Sequence, residues 1–177
     1  KAFEPAIYAE AEHQVNSKLS FLYGMRYSMF YRLGSSTVNL YENNHAVTFN
    51  DQLKIYEKGI PIGTETYGNN DVITSFSNWE PRFSTTYVLN EDSSIKGSYN
   101  RMVQYLQLVS NTASPTPLDV WTPSDQYIKP QIADQVAVGY FRNFQNDMYS
   151  LEVESFYKTV NNRIDYIDGA DLIANDA

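Results

Sequence analysis

Four acids crowd the segment DYIDGADLIAND, at Asp165, Asp168, Asp171 and Asp176. Hard oxygen ligands suit calcium, but this spacing does not match an EF-hand loop, and a solvated acidic loop is the reading it supports. The two histidines, His13 and His45, are far apart in sequence and belong to no metal-ligand spacing. Both are expected to be ordinary surface or lumen residues. Glu10 with Glu12, and Glu152 with Glu154, look like paired general acids. On a strand, however, residues two apart share a face simply because of the pleat, so a salt-bridged, hydrated wall is their expected role. No G-x-S-x-G, phosphate loop or zinc motif occurs. The sequence therefore predicts no catalytic residue, no metal site and no cofactor, and a protein that is not an enzyme.

The bulk composition narrows the class. Fifteen Tyr, nine Phe and two Trp accompany a hydrophobic fraction of only 42%, so aromatics are abundant without an oily segment to hold them. No run of about 18 apolar residues is present, which excludes a transmembrane helix and leaves a transmembrane barrel open. A net charge of -8 argues against a nucleic-acid partner, because phosphate binding wants clustered Lys and Arg. Cysteine is absent, so neither disulfides nor thiolate metal sites enter. KAFEPAIYAEAEHQV lacks the basic, apolar and small-residue order of a signal peptide.

What must position any functional side chain is a set of long alternating segments. LSFLYGMRYSMFYRLG, residues 19 to 34, puts Leu19, Phe21, Tyr23, Met25, Tyr27, Met29 and Tyr31 on one side and Arg26 and Arg32 on the other. Period two is the signature of a strand. Three such pairs can be read: roughly 5–15 with 19–33, 77–89 with 94–106, and 132–144 with 149–166. Short polar turns of Asn, Ser and Lys, of NEDS and of QNDM join them. The intervening connections, 34–76 and 107–130, are long and rich in Asn, Gly, Ser, Thr and Pro. Tight turns at one end and long loops at the other are the arrangement of a membrane barrel.

The expected lipid-facing set adds Val136, Val138, Tyr140, Leu151 and Val153 to the seven residues above. The expected lumen set is Glu10, Glu12, Arg26, Arg32, Arg82, Lys96, Glu152, Glu154 and Lys158. A soluble sandwich would also alternate, with the apolar side turned into its core. Each segment nevertheless reaches the roughly 9 to 11 residues that a tilted transmembrane strand requires. Phe21 and Tyr23 near the turn, with Tyr27 and Tyr31 near the loop, would form two interfacial girdles. Arg101 is the exception on the apolar side and is expected near the extracellular interface, where its cost is small. Ligand recognition concentrates on loops, which selects Trp121, Tyr127, Tyr41, Tyr56 and Tyr67, with Asn43, Asn44, Asn69 and Asn70 as hydrogen-bonding partners.

The runs NWEPRFSTTYVLNEDSSIKGSYNRMVQYLQLVSNT and IKPQIADQVAVGYFRNFQNDMYSLEVESFYKTVNNRIDY, with the earlier hairpin IYAEAEHQVNSKLSFLYGMRYSMF, resemble the barrel of a TonB-dependent receptor of the Bacteroidetes type. The resemblance covers nearly the whole chain. It implies an all-β fold, an antiparallel transmembrane β-barrel segment of about six strands from a barrel of about 22, with long extracellular loops. It also implies uptake of a scarce solute through a plug-gated pore in the bacterial outer membrane, energised by the TonB system. Residues 1–177 would then be a partial barrel, the plug and remaining strands lying outside them. Outer-membrane lipid, a small solute and TonB are the implied partners. A barrel serving as an adhesion or assembly platform, with a surface lipoprotein as partner, and a soluble all-β binding domain are the other readings open at this point.

Overall fold

The computed structural model describes residues 1–109, 120–145 and 148–164. In chain order its strands are β1 (Ala2–Phe3), β2 (Ala6–Gln14), β3 (Leu19–Leu33), β4 (Ser36–Tyr41), β5 (Val47–Asn50), β6 (Ile55–Lys58), β7 (Pro61–Tyr67), β8 (Val72–Asn90), β9 (Ser93–Gln104), β10 (Leu106–Val109), β11 (Val120–Pro123), β12 (Gln131–Phe144) and β13 (Tyr149–Asn161). The main sheet is antiparallel throughout, ordered β1 and β2 on one side of β3, then β8, β9, β12 and β13. The first strand is split because Pro5 has no N–H to give. Its carbonyl still accepts from Met29 N at 2.9 Å, so the edge continues along β3.

The hairpin turns use the chemistry that the sequence offers. Asn16 Oδ1 accepts from the backbone of Lys18 and Leu19 at 2.8 and 3.0 Å. Asn90 Oδ1 accepts in the same way from Asp92 N and from Ser93 Oγ, at 3.1 and 2.9 Å. Such side-chain bonds fold the backbone locally. Two expected boundaries move. β8 begins at Val72 rather than near residue 77, because β3 runs on to Leu33 and its register carries Leu33 opposite Val72. The connection 34–76 is also more regular than its composition suggests: β4 pairs β7 and β5 pairs β6, extending the β3–β8 hairpin outward as a polar ladder.

Register fixes the faces. Ile7, Tyr27 and Trp79 lie opposite one another across β2, β3 and β8. Tyr23, Phe83, Tyr99, Val136 and Tyr157 form a row across β3, β8, β9, β12 and β13. On this face Tyr27 packs on Trp79 and Phe21 on Phe83, with ring centroids 4.5 and 5.8 Å apart. None of the residues expected to face lipid is buried; Val138 and Val153 are 56% and 55% exposed. An aqueous sandwich would have closed over them.

The opposite face carries Glu10, Gly24, Arg82, Asn100, Gln135 and Lys158 in one row. Among the described residues the connections cover this face and not the other. Ser28, Phe30 and Glu80 are buried on it beneath Tyr105 and its neighbours. This covering distinguishes the two faces of the sheet by packing, independently of charge.

Val138 lies at the middle of β12 on the outer face. Val138→Arg in the full-length protein should lower stability by about 2–4 kcal/mol, the cost of a basic side chain near the bilayer midplane. Glu154→Arg, on the inner face of β13, should change it by less than about 1 kcal/mol. Denaturant unfolding of the barrel in lipid vesicles compares the two.

A loop-side cleft over the barrel wall

At the loop end of β9 the backbone leaves the main sheet and Tyr105 swings inward. Its ring stacks on Phe30 at 5.1 Å with planes 6° apart. Its hydroxyl lies 2.8 Å from Ser28 Oγ and accepts from Asn78 Nδ2 at 3.0 Å. A buried phenol needs such partners, and β3 and β8 supply them from adjacent inward positions. The Tyr105 carbonyl then accepts from Ser124 N at 2.7 Å, which starts the return of the connection toward β12.

The segment that follows is braced on three sides. Asp125 Oδ1 accepts from Tyr127 N and Ile128 N at 2.8 and 2.7 Å, closing an Asx turn. Asp125 Oδ2 pairs with Arg32 of the wall. The Tyr127 hydroxyl donates to the Asn39 carbonyl at 2.8 Å, and its ring meets Tyr41 edge-on at 5.3 Å. Gln107 Nε2 donates to the Lys129 carbonyl at 3.0 Å. β4, the wall and the β9–β12 connection are thus tied together by side chains from each.

Between them lies a cleft of about 1140 Å³ lined by Tyr41, Asn43, Asn44, His45, Asp125, Tyr127, Lys129 and Arg163, among others. Asn43 and Asn44 stand at φ 53° and 59°, left-handed values that asparagine tolerates better than most residues. Four of the nine loop residues singled out from sequence therefore converge: Tyr41, Asn43, Asn44 and Tyr127. The other five stand apart. Trp121 is exposed on β11, while Tyr56 packs on Phe49 at 5.0 Å on the outer ladder. Tyr67 donates to Glu65 at 2.9 Å, and that bond holds its phenol above the usual tyrosine range. Asn69 and Asn70 accept from the Lys1 ammonium at 2.8 and 3.3 Å.

The inward-facing charges divide into those with partners and those without. Arg26 bridges Glu4 at 3.5 Å and the buried Glu80 at 3.7 Å. Lys96 Nζ sits 4.4 Å above the Phe141 ring. Arg82, Lys158, Glu10, Glu12, Glu152 and Glu154 form no ion pair among the described residues, so the salt-bridged wall expected of these four glutamates is not what the sheet presents. His13 lies opposite Phe21 on the outer face near the turn, and His45 lines the cleft. Among the described residues no group of His, Cys, Asp or Glu could hold a metal ion. Asp165, Asp168, Asp171 and Asp176 lie outside the described residues.

Sequence reasoning passed over Asp125, Lys129 and Arg163, while the alternation of 94–106 put Tyr105 on the apolar face with Ile95 and Tyr99, whereas it is buried against Phe30 and Ser28. For Asp125 a signal was available, since Ser-Asp ahead of Gln-Tyr after a proline is turn chemistry. For Tyr105, sitting at the end of an alternating strand, nothing local marked the inward swing.

An antiparallel sheet with an uncovered apolar exterior, a charged interior and ligand-sized space at its loop end is the wall of a transmembrane β-barrel. The family model described as "TonB dependent receptor-like, beta-barrel" matches residues 2–175, and the chain belongs to that family, whose members are outer-membrane transporters and not enzymes. No curated protein and no solved structure matches the chain.

Asp125→Ala removes both the Asx turn and the partner of Arg32. Bonds to a charged group are worth about 1.5–3 kcal/mol, so the 124–129 segment should open more readily by that amount. Hydrogen exchange at Tyr127 and Ile128 amides should rise at least tenfold while β12 amides stay protected.

Proposed function

We propose that this chain forms part of the wall of an outer-membrane receptor that binds a scarce solute in the loop-side cleft and imports it past a TonB-coupled plug. The observation that carries this reading is the cleft itself, because it opens over the inner face of the wall and not over the outer one. A solute held by Tyr41, Tyr127, Asn43 and Asn44 is already on the lumen side. No bond-making chemistry is required; binding, gating and passage are enough.

The plug and the rest of the barrel belong to the proposal as well. The outer edges of β13 and of β1 and β2 have no partner strand among the described residues, and a strand edge in hydrocarbon leaves its polar groups unsatisfied. Further strands must meet both edges. The outer set, Leu19 to Tyr31 on β3 with Val136, Val138, Tyr140, Leu151 and Val153, would face lipid. Glu10, Glu12, Arg82, Lys96, Glu152, Glu154 and Lys158 would line water.

The test is growth of the native host on a panel of single limiting nutrients. Deleting the full-length receptor should abolish growth on one nutrient at limiting concentration. Wild type should restore it, but Asn44→Trp with Tyr127→Ala, which fills and unbraces the cleft, should restore about a tenth or less of the uptake rate. Inactivating TonB should mimic the deletion. A host that grows alike on every nutrient but loses a lipoprotein from its surface would overturn import in favour of an assembly platform.

A further inference from the structure

Arg163 lines two cavities. It stands on the wall of the loop-side cleft together with Lys129 and His45. It also lines a second cavity of about 670 Å³ lower on the inner face, with Arg26, Glu80, Arg82 and Lys158. Among the described residues, Arg163 is the one common to the walls of both. Within them the described acids are Asp125 and Glu80, and both are already answered: Asp125 by Arg32 and Glu80 by Arg26. Lys129, Arg163, Arg82 and Lys158 have no ion-pair partner among the described residues.

This concentration of positive charge runs against the chain as a whole, whose net charge is -8. It also runs along the direction a solute must travel, from the loop end down the inner wall. Arg82 and Lys158 occupy the same inward row of the sheet, separated by the uncharged Asn100 and Gln135. Guanidinium groups favour planar oxyanions through paired N–H donors, and in a recessed, partly enclosed wall their field is focused.

From this geometry we infer that the solute is an anion bearing carboxylate or phosphate groups, received at Lys129 and Arg163 and handed to Arg82 and Lys158 along the lumen wall. The inference rests on the uptake reading above and adds the chemical class of what is carried. Tyr41, Tyr127, Asn43 and Asn44 would contact the uncharged remainder of the molecule. Arg163, shared by both cavities, is the residue at which one station passes to the next.

The experiment is calorimetric titration of the full-length receptor in detergent at low ionic strength, using citrate and inorganic phosphate as anionic probes and glucose as the neutral control. Citrate should bind, weaken steadily with added salt, and bind about tenfold more weakly to Arg163→Gln, whereas Arg163→Lys should retain most of the affinity. Arg82→Gln with Lys158→Gln should weaken it further. Because these side chains are exposed and unpaired, the variants should keep the wild-type unfolding midpoint, which is measured alongside. Failure of both anions to bind better than glucose, or wild-type affinity in Arg163→Gln, would overturn the inference. Nutrient- and TonB-dependent growth persisting in that case would leave import standing and remove only the anionic class.

Discussion

Hydrocarbon offers no water to an unpaired N–H or C=O, so a chain crossing it as strands must satisfy its backbone through neighbouring strands alone. Long unbroken ladders follow from that constraint. β3 pairs β8 without interruption from Leu19 to Arg32, and β12 pairs β13 from Ile132 to Phe144. In the main sheet the register shifts among the described residues lie between Arg32 and Leu33 and between Val88 and Asn90, and β9 parts from β8 beyond the Arg82–Asn100 pair, next to Pro81. The one break on the edge strand falls at Pro5, near the loop end.

Once the ladders are fixed, the pleat decides where every side chain goes, and the inner face becomes free to carry charge. A buried unpaired ion would cost several kcal/mol, but here most inward charges reach water. Where the wall is covered, charge is matched: Glu80, only 2% exposed, has Arg26 beside it, and Arg32 has Asp125. Glycine manages the crowding that remains. A side chain at Gly139 would come within 2.8 Å of the Phe141 ring and 3.1 Å of Glu154. Its absence lets Phe141 lie down over β12 and present its face to Lys96. An aromatic that breaks the alternation of QIADQVAVGYFRNF is therefore a lid over a glycine, held on the inner side.

This separation between backbone order and side-chain detail explains what could be read in advance. The main strands were legible because period two over a dozen residues has few other causes, and β3 runs from Leu19 to Leu33 as its alternation implies. The turns were legible because Asn16 and Asn90 act on residues two and three positions away. The β4–β7 and β5–β6 ladders were hidden, since apart from Val38, which is buried on β4, they are largely exposed and polar residues such as Asn39, Thr64 and Glu65 give no hydrophobic rhythm. The cleft was half legible. Tyr41, Asn43, Asn44 and Tyr127 are loop aromatics and amides of the right kind, but which of nine such residues would meet depended on long-range ties from Tyr127 to Asn39 and from Asp125 to Arg32. Those ties span 88 and 93 positions, beyond what local spacing can encode.

The apolar face supplies a second, independent observation, a length that can be set against the apolar band of outer-membrane barrels. Its charged positions in the main sheet are Arg101, Asp134 and Arg142. Arg101 grips Asp134 with two bonds of 2.8 and 3.0 Å, and Tyr99 adds a third at 2.7 Å. That cluster lies toward the loop end of β9, three residues short of Gln104. Arg142 lies at the turn end, its guanidinium 4.8 Å above Phe144. Between Asp134 and Arg142 on β12 no outward residue is charged. At about 3.4 Å per residue and a tilt near 45°, that stretch spans about 19 Å of depth. The apolar band of an outer-membrane barrel is about 25 Å, and long arginine arms extend toward the headgroups to cover the difference. Charge spacing on the apolar face and loop packing on the other thus distinguish the two faces of the same sheet by independent observations.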